Sequence, residues 1–203
     1  MKKKIILVGS GGHATSTINL IESNDQFKII GIVDKVKKIK KLLGYPIIGT
    51  DKDIKKIFKL YTKNCCIGIG QIKSHKIRTS AFNRLKKIGF KFPIIISKNV
   101  IINKSSQIGE GTTIFHNCII NSKVLIGKNC IINNGAIIEH DSIIGDNCHI
   151  STGAIINGSV KIGKNSFIGS GAIIKNNIEI GNNVVVGMGK KIKKNIKSNS
   201  VIK

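Results

Sequence analysis

From Ile102 to Ile192 an aliphatic residue recurs at every sixth position, sixteen times without an insertion. All are isoleucine except Val186. The position two residues earlier is mostly small or β-branched, as at Cys118, Val124, Cys130, Ala136, Ser142 and Cys148. In a strand, residues i and i+2 share a face. Each repeat therefore reads as a short strand with two side chains turned inward, followed by a turn. A second period is superimposed: Gly109, Gly127, Gly145, Gly163 and Gly181 are 18 apart, and two residues after each stands Gly111, Asn129, Asn147, Asn165 or Asn183. Glycine and asparagine tolerate positive φ. One such turn residue per 18 positions implies three strands per coil, and hence a triangular parallel β-solenoid of about five coils.

The middle residue of each strand points outward, and these residues sort into three columns. The first reads Ile101, Ile119, Ile137, Ile155, Ile173, Lys191; the second Gln107, Leu125, Ile143, Lys161, Glu179; the third Thr113, Ile131, His149, Phe167, Val185. Five stacked outward isoleucines mark an interface. With the third column also fairly apolar, two faces of the prism are expected to be covered by other copies of the chain.

The N-terminal half has a different grammar. A buried-type strand at Lys4–Val8 leads into Gly9-Ser10-Gly11-Gly12-His13-Ala14 and a helical stretch to about Ser23. A second strand, Lys28–Val33, ends at Asp34. Further strands are expected near 65–69 and 92–96, and helices near 51–60 and 75–88. Gly9, Gly11 and Ala14 fit the G-x-G-x-x-A turn of dinucleotide-binding folds, with an acid 20 residues further on. The region, residues 1–96, holds only one mononucleotide-binding half before the solenoid, 97–203, begins. The turn itself asks only for a phosphate, which glycines and a helix N-terminus accommodate.

Net charge is +24, with 34 Lys and Arg against 10 Asp and Glu. Only Arg78 and Arg84 are arginines, aromatics are 4% of residues and Trp is absent. Base readout and single-strand stacking depend on those side chains, so the charge argues for small anionic ligands rather than nucleic acid. The apolar run Ile5–Val8 is too short for a secretory h-region, and no apolar stretch is long enough to span a membrane. Cys65, Cys66, Cys118, Cys130 and Cys148 show no zinc spacing, and three occupy inward repeat positions. They read as reduced core thiols of a cytoplasmic protein.

His140 follows Ile138-Glu139 at a turn, stacks over Ser122 and under Gly158, and precedes Asp141. Gly158 leaves space beside the imidazole. A neutral imidazole takes a proton from an amine or hydroxyl near pH 7, and an adjacent carboxylate stabilises the imidazolium. On spacing alone, a solvated turn histidine is an equal alternative.

The segment Ile138-Glu139-His140-Asp141-Ser142-Ile143-Ile144-Gly145-Asp146-Asn147-Cys148-His149-Ile150 closely resembles the active-site segment of bacterial hexapeptide-repeat sugar acetyltransferases. These include the sialic acid O-acetyltransferases, UDP-N-acetylbacillosamine N-acetyltransferase and perosamine N-acetyltransferase. The resemblance spans nearly the whole chain. It implies a left-handed β-helix after an α/β half-Rossmann domain, a homotrimer, and acetyl-CoA as co-substrate. It also implies His140 as general base with Asp141 beside it, and His149, Ser170 and Met188 on acetyl-CoA. The same relatives begin with a G-x-G-G-H turn that binds a nucleotide-sugar, which maps to Gly11, Gly12, His13, Asp34, Lys35 and Gly70. Lys35 stands where some relatives have a second Asp. The chain closes on Val201-Ile202-Lys203 rather than the usual Gly-x-Pro-Ala stretch. His116, His140 and His149 are spaced 24 and 9, unlike the zinc ligands of solenoid carbonic anhydrases, so no metal is expected.

The sequence thus reads as a transferase moving acetyl to an amino group of a sugar, nucleotide-linked, for surface-glycan synthesis. The alternatives are O-acetylation of a sialic acid-like sugar and a non-catalytic nucleotide-sugar-binding trimer. On one prism His140 and His149 should diverge, which places the expected site at a boundary between two copies.

Overall fold

A computed structural model describes residues 1–36, 39–72 and 74–203. The chain divides into two compact units: Met1–Gly70 with Lys76–Ile95, and Gln71–His75 with Ile96–Lys203.

The first unit is a five-stranded sheet. Its strands are β1 (Lys3–Val8), β2 (Phe27–Asp34), β3 (Lys41–Leu42), β4 (Tyr45–Thr50) and β5 (Cys65–Ile67), in the order β3-β4-β2-β1-β5. All neighbours run parallel except the β3–β4 hairpin. Helices α1 (Gly12–Glu22), α2 (Ile54–Leu60) and α3 (Lys76–Ile88) connect the strands. Ile5, Ile6 and Leu7 of β1 are wholly buried, which fits a central strand of a half-Rossmann sheet covered on both faces.

Two expectations for this half need correction. The hairpin β3–β4 lies outside the strands the sequence implies, because its turn sits on Leu43-Gly44, both at positive φ (47° and 83°). A leucine there disguises a two-residue turn that Asn-Gly would advertise. The strand expected near 92–96 is not part of the first sheet: only Ile95–Ile96 is extended, and it belongs to the seven-stranded sheet of the solenoid. Pro93 has no N–H to donate to a ladder.

In the second unit two-residue strands stack in parallel on three faces, building sheets of six, five and seven strands. Registers step by 18, as in Ile119↔Ile137↔Ile155, Leu125↔Ile143↔Lys161 and Ile131↔His149↔Phe167. The aliphatic sixth residues fill the interior as one cluster, with Ile114, Ile132, Ile138, Ile150, Ile156, Ile168 and Ile174 at 0% exposure. This is the left-handed parallel β-helix.

Positive φ occurs at all three corners of a coil, not at one. Between faces one and two it falls on Lys123, Asp141, Ser159 and Asn177; between two and three on Gly111, Asn129, Asn147, Asn165 and Asn183; between three and one on Asn117, Gly135, Gly153, Gly171 and Gly189. The first row escapes a search for Gly and Asn because Lys, Asp and Ser occupy most of it. The second row also carries an amide ladder. Asn129 Nδ2 donates to Asn147 Oδ1 at 2.9 Å, Asn147 to Asn165 at 3.2 Å, Asn165 to Asn183 at 3.0 Å and Asn183 to Asn199 at 2.9 Å.

The outward columns differ in fate. On the first face Ile101 is 66% exposed and Ile119, Ile137, Ile155 and Ile173 are half-buried. On the third face Thr113, Ile131, His149 and Phe167 are buried within the single chain, with Gln71 seated on His149. The third face is therefore not available to another copy in the way its apolar composition suggested.

All five cysteines are buried and free. Burial pushes the Cys66 and Cys118 thiols up to about 11 and raises those of Cys65 and Cys148 as well. The thiolate is the reactive form. A disulfide thiol reagent near pH 8 should thus leave the native protein untouched and titrate five thiols only after denaturant is added. Rapid labelling of any native thiol would contradict the packing described here.

Candidate active site

The corner between the first and second faces carries the pair His140 and Asp141 beside a cleft. His140 occupies it directly after the strand Ile137–Ile138, and Asp141 takes the left-handed residue at φ 59°. That backbone turn swings the Asp141 carboxylate back onto the imidazole, where Oδ2 meets His140 Nδ1 at 2.8 Å. Asp and Asn are the non-glycine residues that enter this region most readily, so one residue shapes the corner and partners the ring. A carboxylate accepts only, so Nδ1 carries the hydrogen and Nε2 of the neutral ring keeps its lone pair. The side chains are 57% and 48% exposed, which leaves the pair open to a ligand.

One coil further along, Gly158 lies against the ring. A Cβ built there would sit 2.7 Å from His140 Nε2 and 2.8 Å from Cε1. Its φ is not left-handed, so the position needs glycine for space alone. The ring therefore leans along the solenoid axis toward the C-terminal coils. A cleft of about 460 Å³ opens there, lined by Glu139, His140, Asn157, Gly158, Ser159, Lys175, Asn176 and Asn177. Glu139 accepts from Asn121 Nδ2 at 2.8 Å, and Asn157 Nδ2 donates to the Ile174 carbonyl at 2.7 Å.

His149 lies elsewhere, on the third face, with the whole second face between it and His140. Its Nδ1–H donates to the Gln71 carbonyl oxygen, Nε2 lies 3.4 Å from Asn133 Nδ2, and the Phe167 ring meets it edge-on at 5.2 Å. With 5% exposure it is built into its own chain. Ser170 and Met188 stand one coil apart in the row Asn134, Thr152, Ser170, Met188, at the corner between faces three and one. Both are exposed, and Ser170 Oγ lies 2.9 Å from Ser151 Oγ.

In the first unit the expected residues gather at the C-terminal ends of β1, β2 and β5, where parallel α/β sheets bind ligands. Gly11 caps α1 with no side-chain cap bond. A Cβ at Gly11 or Gly12 would meet nothing within 4 Å, so the helix N-terminus is open. Gly70 approaches His13 so closely that a Cβ would lie 3.1 Å from the His13 Cβ. Asp34 accepts from the Ser10 hydroxyl and from the Lys35 backbone N–H, which joins the glycine turn to the end of β2. Lys35 itself is exposed.

Five supporting residues lie outside the site that the sequence assigns. Ser10 secures Asp34. Arg78, wholly buried on α3, donates through Nη1 to the carbonyls of Ile67 at 2.7 Å and Ile69 at 2.9 Å, shaping the loop that ends at Gly70. Gln71 donates to the Asn147 carbonyl at 2.8 Å and fixes His149. Glu139 and Lys175 bring opposite charges to the His140 cleft. Arginine's scarcity was the one available signal: in a chain that uses lysine elsewhere, Arg78 marks a place where a forked donor is required. Among the described residues no group of three His, Cys, Asp or Glu is arranged to hold a metal, and no helix is long and apolar enough to cross a membrane.

Comparison with known proteins agrees with this architecture. Residues 4–85 match the PglD N-terminal domain model and residues 92–202 the GMPPB C-terminal domain model. No curated protein sequence matches. Similar solved structures include PerB from Caulobacter crescentus in complex with CoA and GDP-perosamine, at 25% identity and TM-score 0.91 over 98% of this chain and 92% of that one. WeeI from Acinetobacter baumannii is 25% identical, with TM-score 0.87 over 100% and 97% of the two chains. The acetyltransferase domain of PglB from Neisseria gonorrhoeae, in complex with acetyl coenzyme A, shares the fold at 24% identity and TM-score 0.87 over 99% and 96%. The chain belongs to the GMPPB C-terminal domain family and, with its PglD-type N-terminal domain, to the hexapeptide-repeat sugar acetyltransferases; it is an acyltransferase.

The double role of Asp141 separates two substitutions. Asp141→Asn keeps a residue suited to positive φ and should leave thermal stability nearly unchanged while lowering turnover. Asp141→Val adds backbone strain of about 1–3 kcal/mol and should lower the melting temperature too. Equal melting temperatures for the two variants would contradict the corner assignment.

Proposed function

We propose that this acyltransferase moves acetyl from acetyl-CoA to an amino group of a nucleotide-linked sugar, in surface-glycan biosynthesis in the cytoplasm, with His140 as general base. The observation that carries the reading is the His140–Asp141 pair, with Nδ1 tied to the carboxylate and the other nitrogen on the cleft side. The PerB structure, with CoA and GDP-perosamine bound in a similar fold, supports the choice of co-substrate and acceptor class.

The chemistry is direct transfer. The acceptor nitrogen attacks the thioester carbonyl, a C–N bond forms, and His140 Nε2 takes a proton from that nitrogen. The C–S bond then breaks, and the imidazolium returns the proton to the departing sulfur, so coenzyme A leaves as the thiol. Asp141 stabilises the imidazolium while it lasts. No covalent enzyme intermediate is needed. Glu139, on the cleft wall beside His140, can accept a hydrogen bond from the neutral acceptor amine and so help aim its lone pair at the thioester.

The remaining roles follow the same reading. Gly11, Gly12, His13, Asp34, Lys35 and Gly70 hold the nucleotide end of the acceptor, with its phosphates at the open start of α1. Ser170 and Met188 border the coenzyme groove, and His149 braces its wall from within. Lys190, Lys191, Lys193 and Lys194, close along the chain to Met188, suit the coenzyme phosphates. Three copies pack through the isoleucine column of the first face, which places His140 of one copy beside the coenzyme of its neighbour.

His140→Ala should lower kcat by roughly 10²–10⁴-fold, the usual effect of losing a general base. Folding should be unaffected, since the side chain lies outside the core. Free-thiol release with acetyl-CoA and candidate amino sugars reads the rate, and turnover near wild type would remove His140 from the mechanism.

Ile137→Lys combined with Ile155→Lys introduces charge into the apolar column. Light scattering should report monomers in place of trimers. A persisting trimer would show that another surface makes the contact.

A further inference from the structure

Within the first unit, lysines gather at the N-terminal edge of the sheet. β1 starts at Lys3, and Lys4 on β1 stands in register with Lys28 on β2. Helix α2 runs back from β4 to the start of β5, so its last turn, with Lys59, comes to the same edge. The chain after α2 is tied there: Thr62 Oγ1 and Asn64 Nδ2 donate to the Lys4 carbonyl at 2.9 and 3.0 Å. The Lys91 N–H donates to the Lys63 carbonyl at 2.7 Å, which brings in the segment that follows α3. Lys3, Lys4, Lys28, Lys59, Lys63 and Lys91 are all exposed. Among the described residues none of the six has a carboxylate partner.

The acids are distributed so as to leave this field uncompensated. The two near the edge are engaged, Asp25 by the Lys2 ammonium at 3.0 Å and Glu22 by the Tyr45 hydroxyl at 2.8 Å. The other acids of the unit, Asp34, Asp51 and Asp53, stand at or past the C-terminal ends of β2 and β4, at the opposite edge. Two apolar side chains sit among the lysines. Leu60 is 66% exposed and Tyr61 48%, between Lys59 and Lys63 at the end of α2. The helix already packs through buried Ile54 and Ile57, so neither Leu60 nor Tyr61 belongs to that stripe.

This composition selects among polyanions. Nucleic acid is read by arginine forks and stacking platforms, whereas the cations of this edge are all lysine. An anionic lipid surface asks only for point charges, and its interfacial layer accepts leucine and tyrosine. We propose that this edge docks the protein on an anionic membrane surface, with the lysines on lipid phosphates and Leu60 and Tyr61 dipped into the interface. The opposite edge of the sheet, with Gly11 and Asp34, then stays open to ligand. Docking of this kind goes beyond the acetyl-transfer reading and does not depend on it.

The test is flotation of the full chain with vesicles of phosphatidylcholine, alone or mixed with phosphatidylglycerol. Wild type should float with the mixed vesicles at low salt, stay free of the neutral ones, and be released by high salt. Each lysine near an anionic surface raises partitioning roughly fivefold. Lys28→Gln, Lys59→Gln and Lys91→Gln together should therefore lower it about a hundredfold. Leu60→Ser with Tyr61→Ser should lower it about tenfold. Lys104→Gln, Lys123→Gln and Lys197→Gln remove the same charge from exposed positions of the solenoid and should change it by no more than about twofold, since the attraction fades within a Debye length. Thermal unfolding checks each variant, and either edge variant suffices if the other unfolds. Equal losses in the solenoid variant, no flotation of wild type at low salt, or equal binding to neutral and mixed vesicles would overturn the proposal. So would tighter binding to duplex DNA than to mixed vesicles through the same lysines.

Discussion

Every coil of the solenoid depends on the chain turning sharply at each corner without losing its hydrogen bonds to the coil beside it. Those bonds are regular: Ile137 N–H donates to the Ala154 carbonyl at 3.0 Å, Ile143 to Val160 at 2.9 Å and His149 to Ser166 at 2.9 Å. A left-handed residue at each corner makes the turn compatible with that ladder. Asp141 N–H donates to the Ser122 carbonyl at 3.0 Å, and Ser159 N–H to the His140 carbonyl at 2.9 Å. The site inherits its precision from this stack. His140 projects from a corner whose backbone is bonded to the coils on either side, and its partner carboxylate is the corner residue itself.

The same constraint explains how space is distributed. Stacked coils approach closely enough that glycine is required at several contacts. A Cβ on Gly127 would lie 2.6 Å from the Asp146 nitrogen, and one on Gly145 2.7 Å from the Lys164 nitrogen. At Gly158 the nearest atoms belong to the His140 ring instead. A packing rule used structurally at one corner therefore frees room for an imidazole at another. Inside, the repeat isoleucines from Ile114 to Ile192 are buried, and shortening one of them to alanine costs about 2–5 kcal/mol. The polar corners are thus free to vary chemically while the core fixes their spacing.

Much of this was legible beforehand. The sixfold and eighteenfold periods determine the coils and columns, because solenoid registers repeat without insertion. The G-x-G-G-H turn and Asp34 were legible as the end of a mononucleotide-binding half, and His140 with Asp141 as adjacent residues on a turn. Other features depend on contacts between residues distant in sequence. Nothing local announces that Gln71 covers His149, that Ser10 engages Asp34, or that Arg78 holds two carbonyls. The hairpin turn at Leu43-Gly44 and the corner row Lys123, Asp141, Ser159 were hidden because side chains other than Gly or Asn carry a positive φ there. An apolar third column points equally to another copy or to the chain itself, since composition does not say which part of the protein supplies the cover.

The central claim is that the corner geometry delivers an unprotonated His140 nitrogen to the acceptor amine. A crystal structure of the protein with coenzyme A and an amino-sugar nucleotide bound tests it most directly. The account predicts the amine nitrogen within about 2.6–3.2 Å of His140 Nε2, the reach of a general base, with Asp141 still on Nδ1. An amine seated against another side chain, with Nε2 facing only solvent, would contradict it.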